Sequence, residues 1–300
     1  DVLEWGARYL HVIEDADPGY ADGIGGIAVG AGCDEMEIAA LNIRYELLYY
    51  EFGRQALGIA DERLSSAITG DGCTAFALMP DVSANGHLLH GQNWDWIPGI
   101  QGAVLRIDDP NGMEILSFTE AGIFGGKIGM NSAGISLTIN GLTSRYDDLD
   151  RLAKPFHVRC RKILRSESFD DAVRVVTDSP HAVSANFMIG ERADSGSRRL
   201  ANIEAAPDHV RVVESSEGWC VHTNHFVTIT DLEVEGLTEK RPNTRERYDR
   251  MVELYHEARD DASDGRVNRD RIAGMLGEHT GWPYSICRHP DPEEPPEEWY

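Results

Sequence analysis

Gly72-Cys73-Thr74-Ala75-Phe76-Ala77-Leu78-Met79 alternates, turns at Ala84-Asn85-Gly86, and returns through residues 87–92 into Asn93-Trp94-Asp95-Trp96. Period-two alternation on either side of an Asn-Gly turn reads as a β-hairpin. Its open end carries a thiol preceded by glycine, with a carboxylate on the returning arm. Further out, residues 103–107 and 114–118 flank Asp108-Asp109-Pro110-Asn111-Gly112, and residues 127–130 and 135–139 flank Asn131-Ser132-Ala133-Gly134. These read as two more hairpins, and strands are expected again at 183–189, 199–204, 209–213 and 218–222. Helices are expected at 1–17, 150–164, 168–176, 243–259 and 269–276. A glycine-rich link is expected over 19–32, its glycines 23, 25 and 26 preceding strand-like residues. Asp34 then caps a long helix through about 57, with Met36, Ile38, Leu41, Tyr45 and Leu48 on one apolar face. Strands, helices, strands, helices in that order fit an α+β domain of two packed, mainly antiparallel sheets with helical outer layers. No internal repeat or long linker divides the 300 residues, so they are read as a single domain.

Composition narrows the function classes. With 51 acidic and 28 basic residues the formal charge is −23. That field opposes nucleic acid and anionic membrane surfaces, and no basic block offsets it. Only Lys127, Lys154, Lys162 and Lys240 are lysines. Scarce lysine with abundant Asp and Glu fits either salt adaptation or an acidic, arginine-preferring proteome. Cys33, Cys73, Cys160, Cys220 and Cys287 are scattered and odd in number, which is neither a disulfide framework nor a zinc ribbon. A reducing, cytoplasmic setting is expected, with no membrane span and no signal segment. Residues 290–300 read as a Pro- and Glu-rich loop or tail.

Cys73 is the first candidate for chemistry. Its thiolate would attack carbonyl carbon, and Gly72 leaves the preceding peptide bond uncrowded. An N-to-S acyl shift followed by hydrolysis would free Cys73 as a chain N-terminus. The new α-amine has a reference pKa of about 7.7–8.0, well placed for a base. The plainer reading is a small buried strand residue, and the setting Asp71-Gly72-Cys73-Thr74 favours the nucleophile. Asp95, between two tryptophans, is a turn cap or a carboxylate in a partly apolar wall, and pairing with Cys73 favours the latter. In His222-Thr223-Asn224-His225-Phe226, Asn224 offers an amide to a developing oxyanion. His222 and His225 are a weak metal pair and alternative bases for an ordinary cysteine hydrolase. Asn140 is either a second amide donor or a turn residue before Gly141, and Asn93 is a further amide donor for substrate or oxyanion. Cys160, among Arg159, Arg161 and Lys162, is read as helix packing. No phosphate loop or dinucleotide fingerprint is formed by the glycines of 122–127 or of 23–26. No metal ligand set and no cofactor site is expected.

Asp71-Gly72-Cys73-Thr74, Gly91-Gln92-Asn93-Trp94-Asp95-Trp96 and Thr223-Asn224-His225-Phe226 resemble segments of the acyl-coenzyme A:6-aminopenicillanic acid acyltransferase family. That family sits among the N-terminal-nucleophile hydrolases. Leu41-Asn42-Ile43-Arg44-Tyr45-Glu46 and Ser285-Ile286-Cys287-Arg288-His289 resemble further segments, in the same order along nearly the whole chain. The resemblance implies a four-layer αββα sandwich made as an inactive precursor. Self-cleavage would yield an α chain, 1–72, paired with a β chain, 73–300. Cys73 would be nucleophile and, through its amine, base; Asp95 would bind or tune that amine; Asn224 would serve the oxyanion. Asn140 transfers with its register off by one. The family's last strand and Gly-x-Pro tail are not evident, so the natural chain is expected to continue. The implied reaction is hydrolysis or transfer at a non-peptide amide C–N bond of a small molecule through a Cys73 thioester. Acyl-coenzyme A is an admissible acyl donor, and hydrolysis is favoured because water is always available. The competing readings are a cysteine hydrolase with a histidine base and no cleavage, and an inactive acidic binding protein of the same fold.

Overall fold

The computed structural model describes residues 1–58, 72–97, 99–192, 196, 198–232 and 243–293. Asp71 and residues 294–300 of the expected tail lie outside them. Helix α1 (Val2–Ala16) starts on Asp1, whose carboxylate accepts the Leu3 N–H. Residues 19–32 are not a link. Asp17 caps a second helix, α2 (Pro18–Ala31), with Pro18 in its first turn and Gly32 closing it at φ +67°. Tyr20, Ile24 and Ala28 repeat at i, i+4 and are buried, a stripe partly hidden in the sequence by glycine. Gly23 has a packing reason: a Cβ there would lie 2.4 Å from the Phe124 ring.

The long helix expected from Asp34 is two. A capping box of Asp34 and Glu37 opens α3 (Glu35–Asn42), and Ile43 separates it from α4 (Arg44–Ala56). The fully buried Asn42 accounts for the break. Its amide donates to the Ile38 and Gly122 carbonyls, and its Oδ1 accepts from the Tyr20 hydroxyl and the Phe124 N–H. Similarly, the expected helix 150–164 is a 3-10 turn, Leu149–Arg151, then α5 (Phe156–Leu164). Pro155 disfavours helix in the residue before it and suits a helix start. Helix α6 (Phe169–Thr177) follows, capped by Ser168. Near the C-terminal end, α7 (Asn243–Asp260) and α8 (Arg269–Leu276) match expectation.

The ten strands among the described residues are β1 (Thr74–Leu78), β2 (Leu89–Asn93), β3 (Gly102–Asp108), β4 (Glu114–Glu120), β5 (Ile128–Asn131), β6 (Ile135–Gly141), β7 (Ala185–Arg192), β8 (Arg198–Ala206), β9 (His209–Glu214) and β10 (Trp219–His222). They form a three-stranded sheet, β10-β1-β2, and a seven-stranded meander, β3 through β9, antiparallel throughout.

Alternation sorts the faces. On β1, Phe76 and Leu78 pack with Met251, Tyr255, Ile272 and Met275 of α7 and α8. Ala75, Ala77 and Met79 face the other way, onto Met188 and Leu200 of the large sheet. The large sheet's Leu137, Ile139, Phe187 and Ile203 pack outward against Phe156, Cys160 and Ile163 of α5 and Phe169 of α6. The layers are therefore helix, sheet, sheet, helix, as the resemblance implied. His90 of β2 pins the two sheets, its ring nitrogens 2.8 Å from Ser136 Oγ and Thr138 Oγ1 of β6. Burial lowers its pKa to about 3, so it serves as a neutral cross-link.

Candidate active site

Strand pairing assembles the site. Thr74 pairs with Asn93, so continuing the register one step sets Trp94 opposite Cys73, and a second step sets Asp95 opposite Gly72. On the other flank Ala75 pairs with His222, and the same continuation brings Asn224 opposite Cys73. Cys73, one residue before β1, falls on the inner face with Ala75 and Ala77. It is buried and lines a cavity with Tyr45, Tyr49, Trp94, Trp96 and Lys127.

Arg247, from α7, ties these segments together and is itself 2% exposed. Its Nη1 donates to the Cys73 carbonyl at 2.7 Å and to Thr74 Oγ1 at 2.9 Å, and its Nη2 donates to Asn224 Oδ1 at 2.9 Å. That last bond fixes the amide's orientation, so Asn224 presents Nδ2 as its donor. Among the described residues Nδ2 is engaged by the Gly141 carbonyl, at a long 3.3 Å, while the Asn224 N–H is held by Thr244 Oγ1. A half-buried, backbone-anchored amide with a weakly engaged N–H is suited to receive developing negative charge.

Asp95 is the other charged member. Burial pushes its carboxyl up to about 6, against the opposing pull of Arg247 and Arg288. Its Oδ2 is enclosed and has no hydrogen-bond partner among the described residues. Gly72 meets Arg288 directly: a Cβ at 72 would lie 2.1 Å from Arg288 Cδ. Glycine before the thiol thus lets the Arg288 side chain lie against the junction, and a larger residue would displace it.

The other candidates fall away from the thiol. Asn93 uses Nδ2 on the Leu276 and Ile286 carbonyls, both at 2.8 Å, leaving no donor for an oxyanion. Asn140 is fully buried between the sheets, its Nδ2 3.4 Å from the His222 carbonyl. It is absent from the lining of the Cys73 cavity, which its neighbour Gly141 joins. His222 has both ring nitrogens engaged, Nε2 on Glu204 and Nδ1 on the Thr223 carbonyl. His225 shares Nδ1 between the hydroxyls of Thr223 and Thr244, and burial lowers its pKa to about 3. Both histidines read as framework. Cys160 is buried in the core and burial drives its thiol well up, consistent with packing.

Several cavity residues are not among the catalytic candidates read from the sequence. Arg44, Tyr45 and Tyr49 reach the cavity from α4, and Lys127 lies 3.4 Å from the Trp94 ring centroid while paired with Glu120. Arg44 pairs with the same Glu120. Tyr49 is driven so far in that a Cβ at Gly141 would lie 1.6 Å from its hydroxyl. The space left beside Cys73 is about 20 Å³, room for about one water.

A family model described as acyl-coenzyme A:6-aminopenicillanic acid acyl-transferase matches residues 82–294, which include Asp95, Asn224 and Arg247 and begin after Cys73. The 40 kDa form of acyl-coenzyme A:6-aminopenicillanic-acid-acyltransferase from Emericella nidulans is 29% identical over 280 residues, covering 92% of this chain and 69% of that protein. Among solved structures, the Caenorhabditis elegans orthologue of N-acylethanolamine-hydrolyzing acid amidase aligns at TM-score 0.49 and 15% identity, over 69% of this chain and 86% of its own. A mutant of the conjugated bile acid hydrolase from Clostridium perfringens aligns at 0.42 and 13%, over 68% and 78%.

Proposed function

We propose, for a chain that belongs to the acyl-coenzyme A:6-aminopenicillanic acid acyl-transferase family, that it is a self-processing amide hydrolase or acyltransferase working through a thioester on Cys73. The observation that carries this reading is the convergence of Asp95, Asn224 and Arg247 on the Gly72–Cys73 junction, with both ring nitrogens of His222 and the Nδ1 of His225 engaged elsewhere.

The first reaction is on the chain itself. Cys73 sulfur adds to the Gly72 carbonyl carbon, the C–N bond breaks, and the nitrogen takes up a proton as the Cys73 α-amine. Water then cleaves the Gly72 thioester, releasing a Gly72 carboxylate and the thiol. In turnover the α-amine accepts the thiol proton, and sulfur attacks a small-molecule amide or thioester carbonyl. The leaving amine or thiol departs with a proton. Water completes hydrolysis, and an amine completes transfer. Asn224 Nδ2 stabilises the oxyanion, a contribution of about 3–4 kcal/mol for such a donor. Asp95 holds the new ammonium in place.

The small space beside Cys73 supports assigning this conformation to the uncut precursor. Arg44, Tyr45 and Tyr49 all belong to the segment before Cys73 and fill the space a substrate would need. Severing the chain at Gly72 would release α4 to shift.

Intact-mass measurement on wild type and Cys73→Ala tests the proposal. Two wild-type fragments divided between Gly72 and Cys73, with the variant whole, are expected, followed by amide or acyl-thioester turnover that the variant lacks. A wild-type chain that stays whole, yet turns over substrate, would overturn self-processing and return His222 and His225 to consideration.

A further inference from the structure

A second constellation of chemistry-bearing side chains lies on the segment after α8. His279 Nε2 and His289 Nε2 are 2.8 Å apart, and Cys287 Sγ is 3.7 Å from His289 Nε2. One ligand atom from each of the three residues lies within 4.8 Å of the others. The two imidazoles face each other with centroids 4.9 Å apart and planes 30° apart. Two ring nitrogens this close either share an N–H···N hydrogen bond, one imidazole donating to the other, or are placed to ligate one metal ion.

The geometry points to a zinc-class divalent metal site formed by His279, Cys287 and His289. Tetrahedral zinc with ordinary bond lengths sets nitrogens about 3.3 Å apart and nitrogen and sulfur about 3.6 Å apart. The sulfur is already at that spacing from His289, and the two imidazoles need only separate by about half an ångström. Two imidazoles and a thiolate suit zinc, and the absence of oxygen donors from the triad disfavours magnesium and calcium. His279 is exposed, so a fourth position would open to solvent. The backbone is braced for the task. The Cys287 N–H bonds the Glu278 carbonyl, the His289 N–H bonds the Pro283 carbonyl, and the Trp282 N–H bonds the His279 carbonyl, each at 3.0 Å.

The location gives the metal something to do. Asn93 holds the segment at Leu276 and Ile286, beside the strand end that leads to Asp95. Arg288, between two of the ligands, is the side chain packed on Gly72. Bound metal would fix residue 288 from both sides and so stiffen the wall over the Gly72–Cys73 junction. The chain's charge of −23 also raises the local concentration of divalent cations.

The test uses the full chain, stripped with chelator and titrated with Co²⁺ as a spectroscopic probe, with Zn²⁺ as competitor. One equivalent of cobalt is expected, with a thiolate-to-cobalt charge-transfer band and tetrahedral visible bands that zinc abolishes. His279→Ala and Cys287→Ser should each weaken binding at least tenfold, and Cys287→Ser should lose the charge-transfer band. Cys73→Ala should retain both the affinity and the band. Zinc should raise the Tm of the stripped wild type but not of His279→Ala, whose exposed position leaves the fold intact. Absence of stoichiometric binding, a band that survives Cys287→Ser, or one that vanishes in Cys73→Ala would overturn the proposal.

Discussion

Asp95 and Glu204 are carboxylates at the same end of the three-stranded sheet, and the fold treats them in opposite ways. Glu204 is fully buried, yet its carboxylate accepts the Val227, Thr228 and Ile229 N–H groups, the Thr228 hydroxyl and His222 Nε2. Burial alone would raise its pKa, but these donors together lower it to about 2. Asp95 has far less support: one of its oxygens is enclosed with no partner among the described residues, and burial takes its pKa up to about 6. A carboxylate with all its lone pairs used builds structure. One kept short of donors beside a thiol is poised for a cation, which the proposed cleavage after Gly72 would supply.

The strongest way to break this contrast is Glu204→Ala. Three backbone N–H groups, a hydroxyl and an imidazole would lose their acceptor, and the loop that follows Asn224 would lose its anchor. The expected cost is about 3–5 kcal/mol in urea unfolding. A loss below about 1 kcal/mol would show that water or rearrangement replaces the carboxylate, and the structural role would not stand.

Asp95→Asn should do the reverse. It removes an ionised group from a site that disfavours charge, so stability at pH 7 should rise by about 1–3 kcal/mol. Turnover should fall at least a hundredfold, because the α-amine of Cys73 loses its counter-ion, and self-cleavage should slow as well, because the departing Cys73 nitrogen would take up its proton beside a neutral amide instead of a carboxylate. A variant that is both less stable and fully active would invert the assignment.

These two residues also mark how far the sequence could be read. The hairpin around Cys73 and Asp95, and the run ending in Asn224, were legible because strand alternation and register are local and place them side by side. The layer order followed from the succession of strands and helices. Arg247 and Glu204 were not legible. A buried arginine on an Arg- and Glu-rich helix, and a buried glutamate in a strand, look like surface residues until long-range packing encloses them. Asn93 and Asn140 show the converse: each stands near the motif, but the carbonyls of Leu276, Ile286 and His222 claim their amides. The helix α2 is not legible because Gly23, which permits its close approach to Phe124, and the other glycines of the segment mask its apolar stripe.

Titration sharpens the comparison without mutation. Glu204 has a folded pKa, about 2, below its ordinary 4.5, so its contribution is complete above about pH 4.5 and is lost as pH falls towards 2. Asp95 has a folded pKa, about 6, above its ordinary 3.8, so stability declines as pH rises from about 4 to about 6 and is level beyond. The rate of self-cleavage should depend on the same ionisation, with a midpoint near pH 6 in wild type that disappears in Asp95→Asn. A midpoint unchanged by that substitution would belong to another group.

The smallest effect separates these buried carboxylates from the acidic surface. Molar KCl shortens the Debye length to about 3 Å and so quenches repulsion among exposed charges. If the excess of 51 acidic over 28 basic residues reflects salt adaptation, Tm should climb steadily with KCl. The pH 6 midpoint should scarcely move, because burial, rather than a distant and screenable charge, is the main cause of the Asp95 shift. A flat Tm would remove salt adaptation and leave an acidic proteome as the source of the composition. A midpoint that slides with salt would mean that Asp95 is governed by the surface field, and the distinction between the two carboxylates would then rest on Glu204 alone.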